Sequence, residues 1–340
     1  MGKTASVSSA ATRSGLWKHR PFAIRKLEQL VRLVHESHAV PLAGESHPVE
    51  LVPAGDLGVT FIGHSSFLLQ IAGKNVLIDP VFSTRLVVLR RQRRPGIVVS
   101  ALPPIDLVLL THAHMDHLDK ASLRAIVRAT HRLRGPESAP EVIVPRGVED
   151  LVAPLGFAKV HGMSWWETID VQGISVTMTP CKHWGARMFR DTHRGYGGYC
   201  LARHGYSVYH SGDTAYFPGF TEVGRRLKPQ VALLPIGAYY PDTYRAVHTS
   251  PEEAVRGFTE TGAAWMVPMH FGTFKLGREP MDEPVQRLLA EVDRLGARNK
   301  VQVLREGGTL HFNHSKVMSS PTLVPLSSQL VLKQQLNGKK

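Results

Sequence analysis

Apolar and polar positions along the chain follow two rhythms from about residue 58 onward. Short runs rich in Val, Ile, Leu and Phe predict buried strands: VTFIGHSSFLLQI from Val59, NVLIDPVF from Asn75, then DLVLLT, EVIVP, ISVTMT, YSVYHS, QVALLPIG, AAWMVPMH and VQVLR. The turn-forming Ala72-Gly73-Lys74 between the first two predicts an opening hairpin. Between later runs, apolar residues spaced by three and four predict helices in SLRAIVRATHRLR, VEDLVAPLG, SPEEAVRGFTETG and EPVQRLLAEVDRLG. The third opens on a capping box, with Ser250 as N-cap, Pro251 in the first turn and Glu253 three residues after the cap. Strands dominate early and mix with helices later. That order favours an α/β sandwich of sheets covered by helices over a doubly wound sheet.

The first 55 residues read as an N-terminal extension. Over residues 23–34, Ile24, Leu27, Leu30, Val31 and Val34 share one helical face while Arg25, Lys26 and Arg32 fall mainly elsewhere. A basic amphipathic helix of this kind packs on its parent domain, the commoner outcome, or lies on an anionic membrane. Residues 313–340, rich in Ser, Gln and Lys, read as a flexible C-terminal tail.

Composition narrows the class. Hydrophobic residues are 43% of 340 and charged residues 20%, which excludes a disordered chain. No apolar run approaches the roughly 18 residues that cross a bilayer, and the start lacks the apolar core of a secretory signal, so a cytoplasmic location is expected. Two cysteines, Cys181 and Cys200, are too few for a disulfide framework. The net charge of +13 points to polyanionic partners or simply to a soluble basic surface. Five arginines within residues 85–94, and the helix predicted over residues 120–134, suggest a positive face.

The chemistry is concentrated after DLVLL, in Thr111-His112-Ala113-His114-Met115-Asp116-His117-Leu118-Asp119. With 18 histidines in the chain, an H-x-H-x-D-H run is expected by chance about 0.004 times, so it is a specific signal. Imidazole with carboxylate suits Zn²⁺, and ligands at a strand end are held rigidly. His112 and His114 can share one metal while the following turn swings Asp116 and His117 toward a second.

This run, with VTFIGHSSFLLQ, LIDPVFSTR, SWWE, TPCKHW, SGDTAYFPGF, LLPIGAYYP, HTSPEEAV and MHFGTFKL, resembles the metallo-β-lactamase superfamily and, within it, the N-acyl-phosphatidylethanolamine-hydrolysing phospholipase D branch. The resemblance implies a four-layer αββα sandwich, with residues 56–312 as its catalytic domain. It implies two Zn²⁺ per chain: His183 joins His112 and His114, His270 joins Asp116 and His117, and Asp213 bridges. A metal-bridging hydroxide, oriented by Asp116, then attacks the phosphodiester and releases N-acylethanolamine and phosphatidic acid. His248 is expected close to the substrate as a catalytic donor. Trp184, Arg187 and Met115 are expected substrate contacts, Met115 standing where animal members carry an aromatic residue and Arg187 lying beside Ala186, where they carry lysine. Arg190 is a further candidate for phosphate, and Trp165 and Trp166 for an acyl groove. His64 and Asp79 either support the ligands or stabilise their turns, and Cys181 reads as a buried thiol. The expected partners are a phospholipid or phosphodiester substrate and, peripherally, an anionic membrane. No specific nucleic acid is expected, and a homodimer is compatible with this reading. The alternative function is a soluble lactonase or phosphoester hydrolase; a nuclease ranks below it.

Overall fold

The structure, a computed structural model, describes residues 22–135, 137–187, 191–313 and 321–324. After helix α1 (Phe22–Ala39), the chain enters β1 (Leu57–Gly63), β2 (Ser66–Ile71), β3 (Lys74–Ile78) and the small hairpin β4 (Arg85–Leu86) and β5 (Leu89–Arg90). It continues through β6 (Leu107–Leu109), α2 (Lys120–Arg134), β7 (Glu141–Pro145), α3 (Glu149–Val152) and β8 (Val160–Met163). The second half holds β9 (Thr168–Val171), β10 (Ile174–Thr179), β11 (Gly198–Arg203), β12 (Tyr206–His210), α4 (Gly219–Leu227), β13 (Val231–Pro235), α5 (Pro251–Thr261), β14 (Trp265–Met269) and α6 (Glu283–Arg294). Last come β15 (Thr309–Phe312) and β16 (Thr322–Val324).

One sheet has the order β16-β15-β1-β2-β3-β6-β7-β8 and the other β14-β13-β12-β11-β10-β9. Alternate residues divide each strand between two layers. Leu57, Val59 and Phe61 of β1 meet Val231 and Leu233 of β13 in the core between the sheets. Leu68, Leu77 and Val108 pack outward on Leu123 and Ile126 of α2, and Ala232 and Leu234 pack on Phe220, Val255 and Leu288 of α4, α5 and α6. This is the expected four-layer arrangement. Each fully buried Val, Leu or Phe contributes about 1.5–3 kcal/mol. Burial on both faces explains why these strands read as continuous apolar runs.

Several elements depart from the sequence expectation. The run from Val59 is two strands, because Gly63 (φ 130°) and His64 (φ 59°) turn the chain sharply into β2. VQVLR forms only a single bridge, Val301 to Met266. The pattern missed β4, β5, β8, β9, β11 and β15, which are short or carry polar residues, and α4, whose Gly219 and Gly224 weaken its helical signal. Thr322–Val324, within the segment read as a tail, pair with β15 as an edge strand.

Helix α1 forms as expected and extends to Ala39, but its apolar stripe faces away from the domain. Ile24, Leu27, Leu30 and Val31 are exposed, whereas Leu33 and Ser37 are buried. The inner side is held by polar links: the Gln29 amide donates to the Tyr244 hydroxyl, the Arg90 N–H donates to Ser37 Oγ at 3.1 Å, and Glu36 lies 3.9 Å from Lys275 Nζ. The expected positive face is also reduced. Arg91 is fully buried, donating to the Arg93 and Val81 carbonyls at 2.7 and 2.9 Å, and Arg93 pairs with Glu306 at 2.6 Å.

Candidate active site

Parallel pairing of β3 with β6 and of β12 with β13 and β14 brings their C-terminal ends to one edge of the sandwich. Asp79 follows β3, His112 to His117 follow β6, Asp213 follows β12 and His270 follows β14. His183 follows β10, and His248 precedes the capping box of α5, in which Ser250 and Glu253 bond reciprocally as the sequence predicts. The Leu118 and His117 N–H groups both donate to the His114 carbonyl, at 2.8 and 3.1 Å, which makes the turn that swings Asp116 and His117 away from His112.

At the centre is Asp213 Oδ2. It lies 3.0 Å from His270 Nε2, 3.2 Å from His117 Nε2, 3.7 Å from His248 Nε2 and 3.9 Å from both His112 Nε2 and His183 Nε2. Asp116 Oδ2 lies 3.6 Å from His270 Nε2 and 3.7 Å from His117 Nε2. Four groups have ligand atoms close enough to hold a cation. Two share no residue, His112, His114 and His183 on one side and Asp116, His117 and His270 together with His64 on the other; the remaining two run through Asp213, one with His112 and His117 and one with His183 and His248. All seven expected metal residues thus come together, with Asp213 between the two groups.

The hydrogen bonds around the cluster set ring orientation. Thr111 Oγ1 donates to Asp79 Oδ2 at 2.6 Å, so it accepts from His112 Nδ1 at 2.9 Å. His117 Nδ1 donates to Asp79 Oδ2 at 2.7 Å and His183 Nδ1 to the Val247 carbonyl at 2.9 Å. Each bond commits Nδ1 and turns Nε2 toward the cluster, as metal-binding imidazoles require. His112 Nε2, His117 Nε2, His270 Nε2 and Asp213 Oδ1 are buried without a hydrogen-bond partner of acceptable geometry among the described residues. Such groups are costly unless something binds them, and a cation pair fits all four. Sequence pattern alone missed Thr111 and the Val247 carbonyl, since a backbone oxygen leaves no side-chain signal.

The charges of the cluster act strongly on one another. Burial opposes ionisation of Asp116 and Asp213, but the surrounding imidazoles outweigh it and hold both carboxyls well below the usual range. Burial likewise pulls His270 and His117 down, yet Asp213 and neighbouring carboxylates win, lifting His270 to about 9 and His117 well above its ordinary value. Burial dominates at His114, which falls to about 4, and at His112 and His183.

Around the cluster, the Trp184 ring is half-exposed, 4.7 Å from the His114 ring and 4.3 Å from that of His183. Met115 is half-buried on the ligand loop. Trp165 donates to the Tyr196 carbonyl, next to Gly197, whose N–H donates to the Thr111 carbonyl at 3.0 Å, and Trp166 lies under Arg226. Arg190 lies outside the described residues. Cys181 is buried, and burial together with Asp213 pushes its thiol well up, against a nucleophilic role. Arg187 is turned to the ligand loop: its Nη1 donates to the Ala113 and Leu118 carbonyls at 2.8 and 2.9 Å. Arg187→Ala is expected to loosen this loop and weaken cation binding about 10-fold, as loss of an outer support does. Titration of the metal-free variant with Zn²⁺ checks this.

The fold and site together define a class. The family model described as a beta-lactamase superfamily domain matches residues 74–271, more than half of the chain. The chain therefore belongs to the metallo-β-lactamase superfamily, as a metal-dependent hydrolase. An uncharacterised protein of Mycobacterium tuberculosis is 34% identical over 269 residues, 75% of this chain and 69% of that one. A mitochondrial N-acyl-phosphatidylethanolamine-hydrolyzing phospholipase D of Saccharomyces cerevisiae is 29% identical over 271 residues, 76% of this chain and 55% of that one. A metallo hydrolase from the archaeon Ignicoccus hospitalis superposes with a TM-score of 0.58 at 25% identity, covering 76% of this chain and 99% of that one. Among the described residues, no helix is long and apolar enough to cross a membrane.

Proposed function

We propose that this hydrolase is a dinuclear zinc phosphodiesterase that cleaves N-acyl-phosphatidylethanolamine to phosphatidic acid and an N-acylethanolamine. The observation that carries the reading is the pair of imidazole-rich groups sharing Asp213; the yeast phospholipase relative supports the substrate class. His112, His114 and His183 would hold one Zn²⁺, Asp116, His117 and His270 the other, and Asp213 both, a donor set suited to zinc. When bound, the metals supply Lewis acidity and lower the pKa of a water.

The protein's own groups do the rest. Asp116, held ionised by its imidazole neighbours, accepts a hydrogen bond from the attacking water and orients it. As that water's oxygen bonds to phosphorus, the bond to the ethanolamine oxygen breaks and the departing alkoxide takes a proton. His248, whose Nε2 lies 3.7 Å from Asp213 and whose Nδ1 is buried without a partner among the described residues, is assigned the donation to that oxygen or to a phosphate oxygen. Trp184 and Met115 offer apolar surface to the acyl chain, and Arg187 keeps the ligand loop in place.

Membrane approach is assigned to α1 and the neighbouring hairpin. The outward stripe of α1 and Val87 at the hairpin tip, 70% exposed and next in sequence to a strand pair that carries Arg85 and Arg90, would offer the membrane apolar and basic groups. Through Tyr244 this helix reaches the loop carrying His248. A soluble hydrolase is the second reading, favoured by the match over nearly the whole archaeal metallo hydrolase.

Zinc-loaded protein, with Asp116→Asn as control, is expected to release both lipid products from vesicles of N-acyl-phosphatidylethanolamine and anionic phospholipid. Vesicle binding is expected to weaken strongly with salt and with Leu27→Asp/Val31→Asp. Efficient turnover of soluble phosphodiesters or lactones without lipid cleavage would establish the second reading instead.

A further inference from the structure

His64 lies outside the expected ligand set yet is built into the cluster. It occupies the tip of the β1–β2 hairpin with φ 59°, a left-handed conformation uncommon for a residue other than glycine. Both of its backbone groups are tied to the segment that carries His270. Its N–H donates to Thr273 Oγ1 at 2.8 Å, and its carbonyl accepts from the His270 N–H at 2.9 Å. The side chain is 1% exposed, with its ring 4.3 Å from that of His270 and edge-on to Phe274 at 5.3 Å. Nε2 sits 3.0 Å from Asp116 Oδ2, while Nδ1 is buried without a partner among the described residues.

The two halves of the cluster are supported differently. In the first, His112 is held by Thr111 and His183 by the Val247 carbonyl. In the second, Asp79 holds His117, and among the described residues His64 comes within 3.0 Å of the Asp116 carboxylate, closer than His270 at 3.6 Å. A carboxylate that can rotate is a poorer ligand than one with an oxygen already engaged by a fixed donor. We propose that His64 is a positioning residue for Asp116 and that it sets the cation affinity of the second half without affecting the first. In its neutral form the imidazole donates Nε2–H to Asp116, and the strained hairpin tip fixes that donor relative to the His270 segment. This inference rests on the two-cation reading of the site.

The experiment is stepwise Zn²⁺ titration of metal-free full-length protein against a chromophoric chelator, with His270→Ala marking which step belongs to the second half. His64→Asn tolerates the left-handed backbone but shortens the reach to Asp116; His64→Gln restores a long amide donor. Wild type is expected to bind two equivalents. His64→Asn should weaken the second-half step about 10–100-fold and leave the other step unchanged, and His64→Gln should recover most of the loss. Circular dichroism of the metal-free variants reports whether the fold is retained.

Equal affinities for His64→Asn and wild type at both steps would overturn the proposal, as would equal weakening of both steps. Failure of His64→Gln to recover affinity would also overturn it, because that pattern marks His64 as a direct ligand. A wild-type chain binding fewer than two equivalents would instead refute the two-cation reading itself.

Discussion

Asp213→Asn is expected to abolish hydrolysis, by at least ~10³-fold, while leaving the fold intact. Asparagine matches aspartate in size, so the packing around this 2% exposed side chain survives. What disappears is the charge within 3.0–3.9 Å of five imidazole nitrogens. Without it, neither half retains the carboxylate they share, and Zn²⁺ binding at both proposed sites should weaken together. His117 and His270 lose the group that raises them most, so their affinity for protons should fall as well. His248→Gln provides the contrast. The His248 ring lies close enough to Asp213 and His183 to form a ligand group with them, but as His248 is the proposed proton donor, the variant should keep both cations and lose rate alone, by about 10²–10⁴-fold; loss of a cation would mark His248 as a ligand instead. Metal analysis alongside initial rates separates the two variants.

Asp79→Ala is expected to cost stability as well as metal. This fully buried carboxylate accepts from the Thr111 N–H, the Thr111 hydroxyl and His117 Nδ1, at 2.8, 2.6 and 2.7 Å. Alanine leaves three buried donors unanswered, a loss of about 3–5 kcal/mol. Second-half Zn²⁺ affinity should fall about 10–100-fold, since His117 loses the bond that orients it. Asp79 also has φ 43°, which alanine tolerates poorly. Asp79→Asn keeps a side chain suited to that backbone, and separates the conformational cost from that of the lost carboxylate. Denaturant unfolding of the metal-free proteins measures the first effect and Zn²⁺ titration the second.

Legibility in the sequence differed from residue to residue, for physical reasons. The run from His112 to His117 was plain because one strand end and one turn carry it, so the ligands are contiguous. His183, Asp213 and His270 stand on three other strand ends, and only the resemblance linked them before the sheets brought their strands to one edge. Ser250 and Glu253 were readable because a capping box is wholly local. Helix α1 was predicted, but periodicity identifies an apolar face without saying what it meets, and polar links from Gln29, Glu36 and Ser37 turned that face outward. Arginine positions were the least readable. Arg91 is buried on backbone carbonyls and Arg187 supports the ligand loop, so neither placement followed from charge in the sequence.

We propose, above all, that one shared carboxylate joins two cation sites. The most direct test is the zinc content of active protein, measured by elemental analysis after back-titration of the metal-free chain and correlated with recovered activity. Two equivalents per chain, with activity completed by the second and both lost in Asp213→Asn, is the predicted result. Full activity at one equivalent or none, or two equivalents retained by Asp213→Asn, would show that Asp213 joins no such pair.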